Sequence, residues 1–312
     1  MKIGIFLSYV GLGSNLLHLT YCHQIAKKHG PVSIVTICKN LEQAIGDDPL
    51  IEEVIYVEKH YKKFSDIFKL SKFLKKYNFD SFYIFYPSIR FFLASKLARI
   101  KKVYTYKLFA KKNLHLVNTA KKFVEEKLNI NSCPTETKIY VSENKKEIAK
   151  RNIDTAKKNI VIGAGSSGTS TRWGEVNFIN LINKLNKQKN CFFHILCGPN
   201  ENEIAKKIIE RTGSDNCVSL SNKSIAEVVP IISLCDMYIG NDSFGHHVSS
   251  QCSIPSLIIM LDTPKAYSDY SKNQLRILPS KISIDEITHD SRISPDEISV
   301  DVVLEKAIKL LN

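Results

Sequence analysis

The stretch Asn159-Ile-Val-Ile-Gly-Ala-Gly-Ser-Ser-Gly-Thr-Ser-Thr-Arg-Trp173 opens as a short apolar run and breaks into a loop of glycines and hydroxyls. An apolar run of this length bounded by turn signals reads as a buried strand, so 159–163 is predicted to be one. Downstream the pattern alternates: helix 175–187, strand 191–197, helix 201–211, a strand near Val218, helix 225–234, strand 237–240, a helix from Ser243 and strand 256–260. Ser224 with Glu227 three residues on makes a capping box for its helix. Pro295, Asp296 and Glu297 lead into an amphipathic C-terminal helix at 300–311. Strands that alternate with helices argue for a parallel sheet covered on both faces.

The same rhythm runs upstream. Strands are predicted at 2–8, 32–37, 54–57, 80–85 and 102–106, with helices at 15–29, 64–77, 89–99 and 114–128. From 129 to 158 the pattern weakens into polar, lysine-rich sequence containing Pro134, which reads as a connection. The expected fold class is therefore α/β, with two Rossmann-like domains of parallel strands, 1–150 and 151–312, facing a cleft. Ligands of such sheets bind at the carboxyl ends of the strands.

With 312 residues, 44% apolar and 24% charged, the chain is long enough for two domains that need no staples. Its eight cysteines include no C-x-x-C pair, and several sit in apolar runs, so they read as reduced core thiols of a cytoplasmic protein. Residues 1–19 lack the pattern of a signal peptide, and no apolar run reaches the length of a membrane span. Charge is divided unevenly. Residues 1–150 hold 26 Lys and Arg against 13 Asp and Glu, whereas 151–312 hold 18 of each, so the whole net charge of +13 lies in the first half. That asymmetry suggests an anionic partner for the first half.

Two segments carry the chemistry. In the first, Gly165, Ser166, Ser167, Thr169 and Thr171 offer amides and hydroxyls to phosphate oxygens, and Arg172 offers a charged fork. Gly163-x-Gly165-x-x-Gly168 also matches the dinucleotide fingerprint of an NAD or FAD oxidoreductase, which requires a helix opening at the glycines. Here Thr169–Thr171 and then Arg172-Trp173 interpose more loop, so that reading ranks last. In the second, Asp236-Met-Tyr-Ile-Gly-Asn-Asp-Ser-Phe-Gly-His-His247 runs a strand into a helix. The amides after Ser243, through Phe244 and Gly245, suit a diphosphate at a helix N-terminus, and Asp242 suits sugar hydroxyls. Between them Glu201, in Gly198-Pro-Asn-Glu201, is an acid at a strand end able to take ribose hydroxyls.

These segments, in this order, resemble glycosyltransferase family 9, the ADP-heptose:lipopolysaccharide heptosyltransferases. The resemblance rests on the loop ending in Arg172-Trp173 with Phe178 following, on Gly198-Pro199-x-Glu201, and on Gly240-Asn-Asp-Ser243 followed by His247 and Pro255. It covers most of 159–260, and extends more weakly to 2–17 and 293–311. It implies a GT-B fold, an ADP-sugar held by the C-terminal domain as substrate, no cofactor and no metal, and inverting transfer. It further implies an acceptor held by the N-terminal domain, toward which the last helix packs back. The sequence departs from the family pattern where Gly163-Ala-Gly165 replaces His-Pro-Gly, where Thr171 replaces a lysine, and where Phe244-Gly-His246 replaces Gly-Pro-Met. The N-terminal Leu-Gly-Asp that carries the family's base aligns with Leu12-Gly13-Ser14, and no acid precedes Glu42.

The expected catalytic residues are Ser14, His18 and Arg172, with His23 as a further candidate base. A lost base leaves a second reading, a nucleotide-sugar or glycan-binding protein that transfers nothing. The expected partners are a nucleotide-diphosphate sugar, an anionic glycolipid or oligosaccharide acceptor and the inner face of the cytoplasmic membrane, with no nucleic acid. The segments 60–77 and 90–112 mix lysines with aromatics. Phe64, Ile67, Phe68 and Phe73 or Leu74 form a helical stripe predicted to face inward, leaving the lysines to dock on anionic membrane.

Overall fold

Buried runs such as Ile3–Leu7 and Ser256–Ile259 make the central strands, because a parallel sheet is covered on both faces. The computed structural model describes all residues except 59–60, 62, 108–115 and 167, and the backbone alone of residue 169. The first of two units, Met1–Tyr140, contains β1 (Ile3–Leu7), α1 (Leu12–Leu17), α2 (Leu19–His29), β2 (Val32–Thr36), α3 (Leu41–Ile45), β3 (Ile51–Tyr56), α4 (Asp66–Lys75), β4 (Ser81–Ile84), α5 (Ile89–Leu97), β5 (Lys102–Thr105) and α6 (Leu116–Leu128). The second, Val141–Asn312, contains α7 (Glu143–Ala149), β6 (Lys158–Gly163), α8 (Glu175–Asn186), β7 (Cys191–Leu196), α9 (Asn202–Thr212), β8 (Cys217–Ser219), α10 (Ile225–Ser233), β9 (Met237–Asn241), α11 (Phe244–Gln251), β10 (Ser256–Ile259), β11 (Gln274–Ile277) and α12 (Val300–Leu311).

Each unit holds its own sheet, in the order β3-β2-β1-β4-β5 and β8-β7-β6-β9-β10-β11. Every pairing is parallel. Three strands build outward from the first, and the chain then crosses back to lay the rest on its other side. The strand order thus reverses between β1 and β4 and again between β6 and β9, and such reversals leave crevices at the carboxyl ends.

In the first unit α4 and α5 share one core on one face of the sheet, with Phe6, Val35, Ile55, Ile67, Leu70, Leu74, Phe82 and Phe91. An aromatic cluster of Tyr21, Phe85, Tyr106 and Phe123 packs elsewhere in the unit, and the Tyr21 hydroxyl donates to Val117 O at 2.9 Å. In the second unit the apolar face of α12, through Val303, Leu304 and Ala307, enters the core of α8 and β10. That is where the helix expected to return toward the first domain buries its apolar stripe.

Several expectations are corrected. The helix predicted at 15–29 is two, broken at His18, whose ring Nδ1 bonds back to Ser14 O at 2.7 Å. The connection predicted at 129–158 contains α7, and β11 lies beyond the last predicted strand. In α4 the inward residues are Ile67, Leu70 and Leu74, while Phe64 and Phe68 are 70% and 67% exposed. Ile67, Leu70, Ser71 and Leu74 set the buried side of α4, and Phe68 lies roughly 100° to one side of its centre, where it faces out. His60 and Lys62 of the predicted 60–77 segment, 108–112 of the 90–112 segment, and Leu114 and His115 of the predicted helix 114–128 lie outside the described residues. The capping box stands as expected, with Ser224 N donating to Glu227 Oε2 at 2.9 Å.

Candidate active site

The carboxyl ends of β6 and β9 meet at the strand-order reversal, and glycines let them come close. A Cβ on Gly240 would lie 2.5 Å from Gly163 Cα, and one on Gly163 would lie 1.9 Å from the Tyr238 hydroxyl oxygen. A Cβ on Gly165 would meet Glu201 Oε2 at 2.3 Å. Gly163 and Gly165 thus make room for the protein's own side chains. No helix opens at them either, because a 3-10 turn at Thr169–Thr171 intervenes and α8 starts only at Glu175. The dinucleotide fingerprint is present as letters without its structure.

The loop after β6 is tied on two sides. On one, Glu201 accepts from Ser166 N at 3.1 Å and Gly198 N at 2.8 Å, and pairs with Arg172 Nη2 at 2.5 Å. Arg172 turns its Nε and Nη2 back to Ser166 O at 3.1 and 2.8 Å. Its Nη1 has no partner among the described residues. On the other side, Asn241 at the end of β9 donates to Ala164 O at 2.9 Å and accepts from Trp173 N at 2.9 Å. Ser166 Oγ donates to Asp242 O at 3.2 Å and shares a hydrogen bond with Thr171 Oγ1 at 2.6 Å. The fully buried Trp173 anchors the loop's end, its indole N–H donating to Ile298 O at 2.8 Å.

Ser243 stands at the N-cap of α11, so the amides of Phe244 and Gly245 lack partners within the helix and face its end. Tyr238 shapes this turn. Its hydroxyl donates to Asn241 O at 2.6 Å and lies 3.1 Å from Ser243 Oγ, and burial holds its pKa above the ordinary value. Asp242 lies against the ring Nε2 of His246, and His247 Nε2 is 3.8 Å from the same carboxylate oxygen. Gln274 Oε1 accepts from Tyr270 N and Ser271 N at 3.3 and 3.1 Å, so its amide nitrogen faces His246 Nδ1 at 3.2 Å and donates to it. The His246 proton must then sit on Nε2, directed at Asp242. His247 Nδ1 lies 2.5 Å from the Tyr270 hydroxyl. Burial first, and then the neighbouring His246, lower the His247 pKa well below its usual range, so it is neutral at neutral pH.

Two imidazoles and a carboxylate within 4.8 Å of one another are a conceivable cation site. A cation would need the His246 Nε2 lone pair, and Gln274 could permit that only by turning its amide and losing both backbone hydrogen bonds. The donor set therefore does not fit a metal. It fits a carboxylate held in place by donors, whose other oxygen has no partner among the described residues.

Of the expected residues, the second unit brings together Gly165, Ser166, Thr171, Arg172, Glu201, Asp242, Ser243, Phe244, Gly245 and His247 at three adjoining strand ends. Ser167 and the side chain of Thr169 lie outside the description. Ser14 and His18 belong to the first unit. Ser14 is half-buried on α1 after β1. His18 is fully buried, stacked on Tyr9 at 4.7 Å and flanked by Tyr21 and Phe85, and burial lowers its pKa to about 4. His23 is also buried, between Asp48 and Thr137 at 2.9 and 2.6 Å. Sequence reading passed over Asn241, Tyr238, Tyr270, His246 and Gln274. Asn241 and His246 lay inside a quoted motif, Tyr238 read as strand core, and Tyr270 and Gln274 fall in or beside the unpredicted β11.

The model of glycosyltransferase family 9 (heptosyltransferase) matches residues 93–281, more than half of the chain. No curated protein matches it in sequence. Among solved structures, a family 9 glycosyl transferase from Veillonella parvula is similar at 16% identity and a TM-score of 0.79, covering 99% of this chain and 97% of that one. The E. coli ADP-heptose lps heptosyltransferase II gives 18%, 0.74, 100% and 98%, and E. coli heptosyltransferase WaaC with ADP gives 15%, 0.73, 99% and 100%.

Proposed function

The chain belongs to glycosyltransferase family 9 and is a glycosyltransferase, and on that premise we propose that it transfers heptose or a similar sugar, with inversion and without a metal, from an ADP-sugar to a lipopolysaccharide-core or related acceptor. The observation that carries this reading is the joined pair of strand-end turns at β6 and β9. It sets the first amides of α11, the Arg172 guanidinium, whose Nη1 has no partner among the described residues, and the second oxygen of Asp242 at adjoining strand ends. In the proposed complex the diphosphate lies between the 165–172 loop and the 242–245 turn. Arg172 Nη1 and the amides stabilise the charge that develops on it as the glycosidic bond breaks, a preorganised role in which one donor commonly accounts for a 10²–10³-fold rate effect. Asp242 accepts from sugar hydroxyls. E. coli WaaC with ADP and the same enzyme with ADP-2-deoxy-2-fluoro heptose support the choice of nucleotide and sugar.

On this reading the acceptor is an anionic glycolipid in the inner face of the cytoplasmic membrane, approached from the cytoplasm by the basic first unit. Metal independence is supported by the Gln274–His246–Asp242 arrangement. Incubation of the purified protein with ADP-heptose and a lipid A–Kdo acceptor, in chelator, tests the proposal. Formation of heptosylated product and ADP is expected. Product that requires an added divalent cation refutes the metal-free part, and turnover with UDP- or GDP-sugars alone refutes the donor. A specific observation favours a second outcome: both histidines near Ser14 are buried, and no acid precedes Glu42. Tight ADP-heptose binding with no transfer to any acceptor would mark a nucleotide-sugar-binding member whose base has been lost.

A further inference from the structure

In the first unit α4 and α5 lie side by side over one core, and their outer faces are unlike an ordinary solvated surface. Phe64 and Phe68, four residues apart on the edge and first turn of α4, are 70% and 67% exposed, and Leu93 and Leu97 on α5 are 39% and 51% exposed. Large apolar side chains exposed in such a group mark an interaction site. On and beside the same two helices Lys63, Lys69, Lys72, Lys75, Lys76 and Lys96 are exposed as well. Residues 63–101 hold nine Lys and Arg against two acids, Asp66 and Asp80. Both acids are engaged, Asp66 by Lys63 N at 2.8 Å and Asp80 by Lys2 N at 2.9 Å. This stretch therefore carries an excess of positive charge, with exposed apolar side chains set among the lysines. Among the described residues no helix is long and apolar enough to cross a membrane.

We propose that this α4–α5 face, with Phe64 and Phe68 as wedges, is where the protein docks on an anionic phospholipid surface. Aromatic rings enter the headgroup–acyl boundary while lysine stems lie along it and their ammonium groups meet lipid phosphates. A protein partner would need acidic groups facing each lysine, whereas an anionic bilayer answers the whole face at once. Phe64 lies just before α4 and Phe68 in its first turn, on the side where β3 ends, so docking brings lipid to the carboxyl edge of the sheet, the edge where such sheets bind ligands. The inference rests on the acceptor being a membrane glycolipid, but its test does not depend on transfer.

Co-sedimentation of the full chain with phosphatidylglycerol/phosphatidylcholine vesicles, against phosphatidylcholine alone, reads the docking. Binding is expected on the anionic vesicles at low salt. Phe64→Ser with Phe68→Ser should lower the partition coefficient at least tenfold. Lys69→Glu with Lys72→Glu should remove most of its salt dependence. Because Trp173 is the single tryptophan and is buried in the second unit, Phe68→Trp supplies a local probe. Its emission should shift to the blue on anionic vesicles and be quenched by brominated acyl chains. ADP calorimetry on the same variants should be unchanged, which separates docking from the nucleotide site. No sedimentation at low salt, a double-serine variant that binds as well as the parent, or a Phe68→Trp emission that vesicles leave unmoved would each overturn the proposal.

Discussion

Replacing Glu201 by Gln isolates what the β6 loop contributes to nucleotide binding. The carboxylate side chain is 14% exposed and accepts from Ser166 N and Arg172 at one oxygen and from Gly198 N at the other. An amide of the same shape offers one acceptor oxygen. If that oxygen keeps Ser166 N and Arg172, the new NH₂ faces Gly198 N–H, and if it turns, two donors are left instead of one. Leaving one such N–H unsatisfied costs about 1–3 kcal/mol. Part of that would be relieved by the loop moving away, so about 2 kcal/mol is the expected loss, roughly 30-fold in an equilibrium. The unliganded protein should melt a few degrees lower. ADP should bind up to roughly 30-fold more weakly by calorimetry, because the nucleotide must re-form the loop. Arg172→Ala should weaken ADP at least as much, since it removes both the brace and the outward fork. A lower melting temperature with unchanged ADP affinity in Glu201→Gln would show that the loop is structural and that the diphosphate lies elsewhere.

Gly240→Ala should destabilise the second unit by roughly 3 kcal/mol or more, because its Cβ meets Gly163 backbone rather than a movable side chain. Thermal melting reads this, and a stable variant would show that β6 and β9 are less tightly apposed. Burial holds His18 and His194 near a pKa of about 4 and pushes His247 well below its usual value, against about 6.5 in the unfolded chain. The unfolded state therefore binds more protons between these values. Stability should be full above about pH 6.5 and fall as pH drops toward 4, with a shallower fall in His18→Phe. A melting temperature that is flat from pH 7 to 4.5 would contradict this. Seven of the eight cysteines are buried, and burial raises the pKa of Cys133 and Cys191 to about 11 and of Cys197 and Cys252 to about 12. A thiol reagent at pH 8 should label the native protein slowly and all eight sites only in denaturant. Rapid native labelling would mean an opening of the core.

The strands were legible because strands buried on both faces are rich in Val and Ile, as in Val32–Thr36 and Lys158–Gly163. Lys102–Thr105, a four-residue edge strand with a polar start, was legible from its β-branched and aromatic Val-Tyr-Thr. Gln274–Ile277 was not, since an edge strand of four residues with a polar start and an arginine carries no such run. The break at His18 was hidden because the apolar period runs on through it, and a side-chain bond to Ser14 O leaves no mark in hydrophobicity. At the site, residue types named the right turns but not their internal roles. Glu201 reads as an acid at a strand end, and the structure uses its carboxylate to fasten two turns. Asp242 reads as a ligand for sugar hydroxyls, while its orientation depends on Gln274, far along the chain in a strand that sequence did not reveal.

The two units differ in how much of the proposed chemistry they supply. Inverting transfer needs the leaving diphosphate stabilised and the acceptor hydroxyl relieved of its proton. In the proposed complex the second unit would answer the first need with donors fixed before substrate arrives, which would remove the reorganisation that water requires. In the first unit the position of the family's base holds Ser14, whose hydroxyl is a poor base near neutral pH. His18 has its Nδ1 turned to Ser14 O and is fully buried among aromatic rings, and burial lowers its pKa to about 4. A base contributes about 10²–10⁴-fold where one is present. A transferase built this way would therefore depend on the departure of the diphosphate running ahead of proton loss, so that the acceptor oxygen becomes acidic only once the sugar has begun to bind it. The physical weight of the proposed reaction falls on the loop at 165–172 and the turn at 242–245, the two elements that Asn241 and Ser166 hold together.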